Sequence, residues 1–316
     1  MVYFIFDLDE TLAELCSVYY FITSLHFDGA ISNLDKAYQH FVKDVLIVET
    51  SNEPLGILRP GILDIMKNLK ELQKKGKIKN VLIYSNNGDI KSLEFIKDLI
   101  HLHVGEGLIK ECIHRNHPMR KKELVDGPQL INKTWNVLKN IMINGNTRAA
   151  TNLDTRDVYF FDDLDHSDLR KKLGMNYYKV PRYDFRASID RIGELYKNAI
   201  YKSNIRGNKL NKYVNIVIRS FSNDTKETEY NPSINGIIQL FKDITICNEQ
   251  NQLISVLPSN IDMGIAMMKH AINRIEIREE LRRIKKYGIR RNNNSTRKRK
   301  YSNNIKLEVI GKSIDR

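Results

Sequence analysis

Two aspartates and a threonine follow the first apolar segment of the chain. Residues 2–6 are uninterrupted apolar, and Asp7, Asp9 and Thr11 come directly after them. Carboxylates spaced i, i+2 along a strand point to the same side. At the end of a buried strand they repel each other and lose solvation, so a bound cation would stabilise them. Taken alone, this spacing is compatible with either a cation site or a solvated turn.

Two later apolar segments, 80–84 and 157–161, also predict buried strands, and both end in polar side chains. Helical periodicities separate the three segments, which is typical of an α/β fold with a parallel sheet. The carboxyl ends of parallel strands meet at one edge of the sheet, where ligands bind. We therefore expect one site at that edge. Its members are the polar residues after each strand and a lysine ahead of the third strand: Asp7, Asp9, Thr11, Ser85, Asn86, Lys133, Asp162 and Asp163.

The sequence predicts an α/β Rossmannoid parallel sheet flanked by helices, with a mainly helical C-terminal appendage. The predicted organisation is a catalytic domain at 1–204, a mainly helical region at 205–287 and a basic, flexible tail at 288–316. An insertion at about 12–58 separates the first strand from the next clear element. Such an insertion is either a lid or a packed excursion.

Periodicity also predicts finer elements within the first domain. Helices are expected at about 89–102 and 130–142, and a fourth strand at 177–181. The intervening residues 101–129 are rich in polar and turn-forming types and are expected to form loops.

Charge is unevenly distributed along the chain. The sequence is 41% hydrophobic and 28% charged, with a net charge of +13, and residues 274–300 hold twelve Lys and Arg against three Glu. A basic segment of this kind is typical of a nuclear targeting signal or a nucleic-acid contact, and equally of a solvated chain end. The possible partners of the tail are therefore nucleic acid or a nuclear import factor. The stretch 289–304 is also low in complexity, and disorder is expected there.

Cysteine usage and hydropathy indicate the compartment. Three widely separated cysteines, Cys16, Cys112 and Cys247, are typical of a reducing intracellular environment, cytoplasmic or nuclear. No run of about 18 apolar residues is present, so no membrane partner is expected.

A cluster of histidines with one cysteine raises the alternative of a zinc site. The spacings His-x-His and Cys-x-His-x-x-His do not match the paired patterns of structural zinc sites, so unrelated loop histidines are the favoured interpretation. The residues concerned are His101, His103, Cys112, His114 and His117.

The order of the polar motifs resembles that of the haloacid dehalogenase-like (HAD) phosphohydrolase superfamily. The shared features are Asp-x-Asp-x-Thr after the first strand, a Ser or Thr after the second, a lysine, and then acids, all within residues 3–163. Within the superfamily, the segment DLDETL at 7–12 followed by LRPG at 58–61 is similar to the FCP/SCP (NIF-type) protein serine/threonine phosphatases. The chain departs from that group at Thr134, where an aspartate usually follows the lysine. Lys121 and Lys122 are therefore alternative candidates for the motif lysine.

The resemblance implies a role for each residue. Asp7 would attack phosphorus and form an aspartyl-phosphate, and Asp9 would protonate the leaving oxygen and then activate water. Magnesium, which suits an all-oxygen site, is the implied cofactor. Its ligands would be an Asp7 oxygen, the Asp9 main-chain carbonyl and an acid of the pair Asp162 and Asp163, the other acting through water. The phosphoryl oxygens would be bound by Thr11, Ser85, Asn86 and Lys133.

The resemblance predicts a magnesium-dependent phosphatase, a phosphoric monoester hydrolase, with a phosphorylated substrate that is expected to be a phosphoserine or phosphothreonine protein. One alternative is a phosphatase for nucleic-acid ends or nucleotides on the same catalytic core, which the basic tail mildly favours. Another is a HAD-like binding protein without activity.

Overall fold

The first apolar segment of the chain forms the middle strand of a five-stranded, all-parallel sheet with the order β3-β2-β1-β6-β7. In chain order the strands are β1 (Val2–Phe6), β2 (Ile78–Tyr84), β3 (Ile109–Ile113), β4 (Val125–Asp126), β5 (Leu130–Ile131), β6 (Val158–Asp162) and β7 (Tyr177–Lys179). Strands β4 and β5 form a separate antiparallel pair. Because β1 pairs with β2 on one side and β6 on the other, its carboxyl end lies between theirs.

Helices connect the strands and complete the predicted α/β architecture. They are α1 (Tyr19–Leu25), α2 (Leu34–Glu49), α3 (Ile62–Lys74), α4 (Ile90–Val104), α5 (Trp135–Asn144), α6 (Ser167–Leu173), α7 (Ile189–Lys202), α8 (Gly207–Phe221), α9 (Ile234–Glu249) and α10 (Pro258–Asn293). Helix α3 packs on β2, α4 on β3 and α6 on β6. The fold is therefore α/β with a parallel sheet flanked by helices, as the sequence predicts.

The two faces of the sheet bury different side chains, because neighbours along a strand point to opposite sides. On one face, Tyr3 and Ile5 of β1 join a core with Leu138 of α5 and Leu169 of α6. On the other face, aromatic rings of β1, β6 and β7 stack at centroid separations from 4.8 to 5.9 Å. These rings belong to Phe4, Phe6, Tyr159, Phe161 and Tyr178. Burial on both faces explains why β1 and β6 have uninterrupted apolar sequences.

The insertion at 12–58 is a packed helical excursion. Its two ends meet in a bridge between Ala13 and Leu58. Phe41 of α2 stacks on Phe95 of α4 at 5.9 Å and lies edge-on to Tyr196 of α7 at 6.3 Å. Helix α2 is therefore held by α4 and α7, which come much later in the chain.

Two predictions about secondary structure are wrong. Residues 109–113, expected to be part of a loop region, form the edge strand β3, in which only Ile109 and Ile113 are buried. Residues 130–131, expected to begin a helix, form β5 instead. Helix α5 begins at Trp135, whose N–H donates to Oδ2 of Asp168 at 2.7 Å.

The computed structural model describes residues 2–27, 31–123, 125–126, 130–144, 153–222, 230–249 and 258–293. By backbone packing the chain divides into two units, Met1–Asn273 and Arg274–Arg316. Residues 205–273 belong to the first unit, whereas the sequence predicts a region of its own at 205–287. In the stretch predicted to be disordered, residues 289–293 are helical and 294–304 lie outside the described ranges. None of the helices in those ranges is long and apolar enough to cross a lipid bilayer.

Candidate active site

Asp7, Asp162 and Asp163 form a buried cluster at the carboxyl ends of β1 and β6. One carboxylate oxygen from each residue lies within 4.8 Å of the other two. The two strands are tied together at this level, because the N–H of Asp7 donates to the carbonyl of Phe161 at 2.8 Å. The structure thus brings together three acids of which the first and last, Asp7 and Asp163, are 156 positions apart in the chain.

Lys133 bridges this cluster. Its Nζ donates to Oδ1 of Asp7 at 2.6 Å and to Oδ2 of Asp162 at 2.7 Å, and its side chain is buried. The backbone next to the lysine is also anchored, since the N–H of Thr134 donates to Oε1 of Glu123 at 2.8 Å. The structure therefore brings Lys133 together with the acids that follow β1 and β6.

Asp9 is held by groups that follow β2. The hydroxyl of Ser85 donates to Oδ2 of Asp9 at 3.0 Å, and Nδ2 of Asn87 donates to Oδ1 at 3.2 Å. The N–H of Asn87 in turn donates to the Ser85 hydroxyl at 2.9 Å. Ser85 is among the predicted site residues, but Asn87 is not. The signal for Asn87 in the sequence is its position three residues after the end of β2 at Tyr84.

Thr11 connects the loop after β1 to the loop after β6. Its Oγ1 accepts a hydrogen bond from the N–H of Asp163 at 3.0 Å. The preceding residue, Glu10, has a φ of 60°, a left-handed conformation that is unfavourable for a side chain with a Cβ. Its carbonyl accepts from the N–H of Tyr183 at 2.7 Å, so the surrounding chain stabilises this backbone turn.

Arg59, from the LRPG segment, holds the same turn from the other side. Its Nε donates to the carbonyl of Thr11 at 2.7 Å, and its Nη2 donates to the carbonyls of Glu10 at 2.8 Å and Pro181 at 2.6 Å. The side chain is buried, and burial lowers its pKa to about 10. Arg59 therefore positions the loop that carries Asp9 and Thr11. The LRPG motif alone does not indicate this role, because the contacts of Arg59 are with residues distant in the chain.

Asn86 is oriented by a second buried arginine that the sequence does not single out. Nη2 of Arg120 donates to Oδ1 of Asn86 at 2.6 Å, Nη1 donates to the carbonyl of Ser85, and Nε donates to Oε2 of Glu123 at 2.6 Å. With its oxygen engaged, Asn86 presents Nδ2, a buried donor with no hydrogen-bond partner in the described residues. A donor is the group that a phosphoryl oxygen requires.

His166 links the lysine to the acids. Its Nδ1 accepts a hydrogen bond from the N–H of Lys133 at 3.3 Å, and its Nε2 lies 3.3 Å from Oδ2 of Asp162. A ring that accepts at Nδ1 carries its proton on Nε2 when neutral. His166 therefore holds the backbone of Lys133 and brings Nε2 close to the carboxylate of Asp162. No motif in the sequence indicates this residue.

The three acids of the cluster differ in the direction of their pKa shifts. Burial raises the pKa of Asp7 well above its usual value. The positive charge of Lys133 lowers this pKa in part, whereas the negative charge of Asp162 raises it further. Burial, together with the charges of Asp162 and Glu10, raises the pKa of Asp163 to about 7. Burial acts in the same direction on Asp162, but the charge of Lys133 and the contact with His166 outweigh it and lower that pKa. Asp7 and Asp163 are therefore the acids that most need a further cation.

The donor set fits magnesium. Oxygen ligands on a buried carboxylate cluster are those that a hard divalent cation prefers. The ammonium group of Lys133 forms ion pairs with two of the three acids, Asp7 and Asp162. Asp7, Asp162 and Asp163 would hold the metal, with the Asp9 main-chain carbonyl as a further predicted ligand. Within the described ranges this is the one group of three acidic, histidine or cysteine side chains close enough to share a metal.

The histidines considered for zinc have other contacts. Nε2 of His101 accepts a hydrogen bond from the N–H of Ile109 at 3.1 Å. Nδ1 of His117 accepts from the N–H of Met119 at 3.3 Å, which caps a one-turn helix. These two rings therefore serve the local backbone.

No protein-family model, curated protein sequence or solved structure matches this chain. The chemistry of the site is therefore inferred from the side chains themselves. Their arrangement combines buried carboxylates, one buried ammonium group and oriented hydrogen-bond donors at a single sheet edge.

Magnesium affinity should rise between about pH 6 and about pH 8. In the metal-free protein the raised pKa values of Asp7 and Asp163 keep protons on acids that must ionise to bind the metal. Each displaced proton changes the apparent affinity by up to about tenfold per pH unit below its pKa. Titration calorimetry in buffers of different ionisation enthalpy measures both the affinity and the proton release. A pH-independent affinity without proton release would contradict this expectation.

Proposed function

We propose that the protein is a magnesium-dependent phosphomonoester hydrolase that acts through an aspartyl-phosphate, as the resemblance to HAD phosphohydrolases implies. The observation that carries this proposal is the convergence of Asp7, Asp9 and Lys133 at one sheet edge. It supplies a nucleophile, a proton donor and a buried positive charge, the three functions that ester hydrolysis requires.

In the first step an oxygen of Asp7 attacks phosphorus, and the bond between phosphorus and the leaving oxygen breaks. Lys133 supports this step because its Nζ contacts Oδ1 of Asp7 and stabilises the ionised carboxylate. Bound magnesium would supply further positive charge against the phosphoryl oxygens. Nδ2 of Asn86 is a donor for the same oxygens, and the hydroxyl of Ser85 becomes one when it turns away from Oδ2 of Asp9.

Asp9 transfers the protons in both steps. It donates a proton to the leaving oxygen, and its carboxylate then takes a proton from the water that attacks the aspartyl-phosphate. The pKa of Asp9 is raised, because the effect of burial exceeds that of the hydrogen bonds from Asn87 and Ser85, which lower it. A raised pKa helps a carboxylic acid to keep a proton for donation near neutral pH. The second step releases inorganic phosphate and restores Asp7.

The substrate class has two candidates. The DLDETL and LRPG segments support a phosphoserine or phosphothreonine protein, through the resemblance to FCP/SCP phosphatases. A cavity of about 320 Å³ lined by Asp9 and Asn87 supports the second candidate, a nucleotide or a nucleic-acid end. The proximity of Lys133 to Asp7, with Asp9 on the same loop held by Ser85, supports a catalytic protein over an inactive binding protein.

Borohydride trapping tests the proposed reaction. Borohydride reduces an acyl-phosphate to an alcohol, so protein turning over an aryl phosphate with magnesium should yield homoserine at residue 7. Mass spectrometry of the peptide that contains Asp7 detects this product. Phosphate release without any such product, or a product at another acid, would refute the aspartyl-phosphate.

Asp9→Asn should slow turnover by about 10²- to 10⁴-fold, the usual contribution of a general acid or base. Magnesium affinity should change little, because only the main chain of Asp9 is a predicted ligand. The double variant Asp162→Asn/Asp163→Asn is the matched comparison and should lose metal affinity. Calorimetry on both variants separates the roles, and equal losses of metal affinity would show that the Asp9 side chain is a ligand.

The basic tail at 288–316 remains a proposed contact for nucleic acid or a nuclear import factor, and most of it lies outside the described residues. Its charge supports binding that weakens steeply as salt rises, because neutralised phosphates release counterions. The salt dependence of DNA binding with and without 288–316 tests the first partner. Import of a tail–reporter fusion tests the second.

A further inference from the structure

A cavity of about 320 Å³ opens beside the proposed proton donor. Its lining includes Asp9 and Asn87 from the site, and Cys16, Tyr19 and Tyr20 from the start of the 12–58 insertion. Since Asp9 is proposed to protonate the leaving oxygen, the cavity is placed to receive the group attached to that oxygen. This reasoning rests on the proposed phosphatase function.

The aromatic side of the cavity is pre-organised. Tyr20 stacks on Phe241 at 5.7 Å and lies edge-on to Phe221 at 5.5 Å. Tyr19 in turn lies edge-on to Tyr20 at 5.1 Å, with an angle of 77° between the rings. Rings already held in place lose little conformational entropy when a ligand stacks on them.

Polar groups complement the rings. Arg186 and Thr245 also line the cavity. Thr245 donates its hydroxyl hydrogen to the carbonyl of Phe241 at 2.7 Å, which leaves its oxygen lone pairs as acceptors. A guanidinium can stack on a flat ring or bond to sugar hydroxyls. A cavity with rings, a cation and an acceptor is more than the side chain of phosphoserine needs.

We propose that this cavity binds the nucleoside of a nucleoside monophosphate, with the base against Tyr19 and Tyr20 and the phosphate at Asp7. The ligand could be a free mononucleotide or the terminal nucleotide of a strand, since both present the same base, sugar and phosphate. A phosphoserine peptide would leave the aromatic wall without a partner.

A graded substrate series tests the cavity without changing the bond that breaks. Glycerol 1-phosphate, ribose 5-phosphate and a nucleoside 5′-monophosphate share a primary alkyl leaving group, and only the last carries a base. We expect kcat/KM to be highest for the nucleoside monophosphate, by about tenfold or more over ribose 5-phosphate, as base stacking on aromatic side chains implies. Equal values across the series would overturn the proposal.

Cys16 offers a matched pair of variants, because it lines the cavity and is exposed. Cys16→Trp should narrow the cavity and lower kcat/KM for the nucleoside monophosphate by about 10- to 100-fold, and should lower that for glycerol 1-phosphate by a clearly smaller factor, because its leaving group is smaller. Cys16→Ser should behave as the wild type. Tyr19→Ala should follow the tryptophan variant, and Tyr201→Ala, an exposed tyrosine outside the cavity, should not. A Cys16→Trp variant that loses both substrates equally would contradict the proposal.

A binding measurement separates this inference from the proposed catalysis. Calorimetry of a nucleoside 5′-monophosphate with Asp7→Asn, with and without Cys16→Trp, does not depend on turnover. Binding that the tryptophan abolishes supports the cavity even if no substrate is hydrolysed, and absence of binding overturns it. A 5′-phosphorylated oligonucleotide in the same assay distinguishes the sources: binding equal to that of the mononucleotide supports a strand end, and weaker binding supports a free nucleotide.

Discussion

Asp7→Asn is expected to lower phosphatase turnover by about 10⁶-fold, the scale seen when an enzyme loses its nucleophile. The amide keeps the shape of the side chain but cannot form the aspartyl-phosphate. The fold should be preserved, because asparagine can still accept the hydrogen bond that Lys133 donates at 2.6 Å. Steady-state kinetics on an aryl phosphate with magnesium measures the effect.

An exposed aspartate provides the control for this variant. Asp35 lies in the first turn of α2 and is exposed, so Asp35→Asn should retain wild-type turnover. Circular dichroism and the melting temperature of Asp7→Asn establish whether it is folded. A folded Asp7→Asn protein with wild-type turnover would rule out Asp7 as the nucleophile.

Lys133→Met is expected to cost both stability and activity. It leaves the carboxylates of Asp7 and Asp162 buried without their cation, and breaking a buried ion pair from one side destabilises a fold by about 3–5 kcal/mol. Loss of one stabilising group at the transferring phosphoryl costs a further factor of about 10²–10³ in turnover. Denaturant unfolding and kinetics measure the two effects separately.

Two further measurements, a magnesium rescue and a pair of control variants, test whether the effect is specific to Lys133. Added magnesium should recover part of the lost stability of Lys133→Met, because a divalent cation supplies positive charge to the same acids. Lys121→Met and Lys122→Met are the matched controls and should keep wild-type turnover. A Lys121 or Lys122 variant that loses turnover while Lys133→Met keeps it would reassign the motif lysine.

The strands that build the site could be predicted from the sequence because their signal is local. Strands β1 and β6 are buried on both faces, so their apolar runs are continuous and their ends are marked by the first acids, Asp7 and Asp162. Strand β3 was missed because it is an edge strand, where Lys110 and Glu111 remain in contact with solvent. A partly polar sequence of this kind has no period that separates it from a loop.

The supporting residues of the site could not be predicted, because their contacts join distant positions. Arg59 reaches the carbonyl of Pro181, and His166 reaches the N–H of Lys133. Arg120 orients Asn86 from 34 positions away. Such pairings depend on how the helices and loops return to the sheet edge, which no spacing along the chain records.

The position of β1 in the middle of the sheet has a consequence for synthesis on the ribosome. One of its partners, β6, begins only at Val158, so an apolar strand waits with an open edge while more than 150 residues are made. At about 5–20 residues per second the wait is roughly 8–30 s. During that time the Val-Tyr-Phe-Ile-Phe segment is exposed to wrong pairing, including with nascent chains of its own kind. Because this edge is open during synthesis, nascent-chain chaperones should bind the protein early and release it only after β6 has emerged. A chain terminated before residue 158 would keep the edge permanently open.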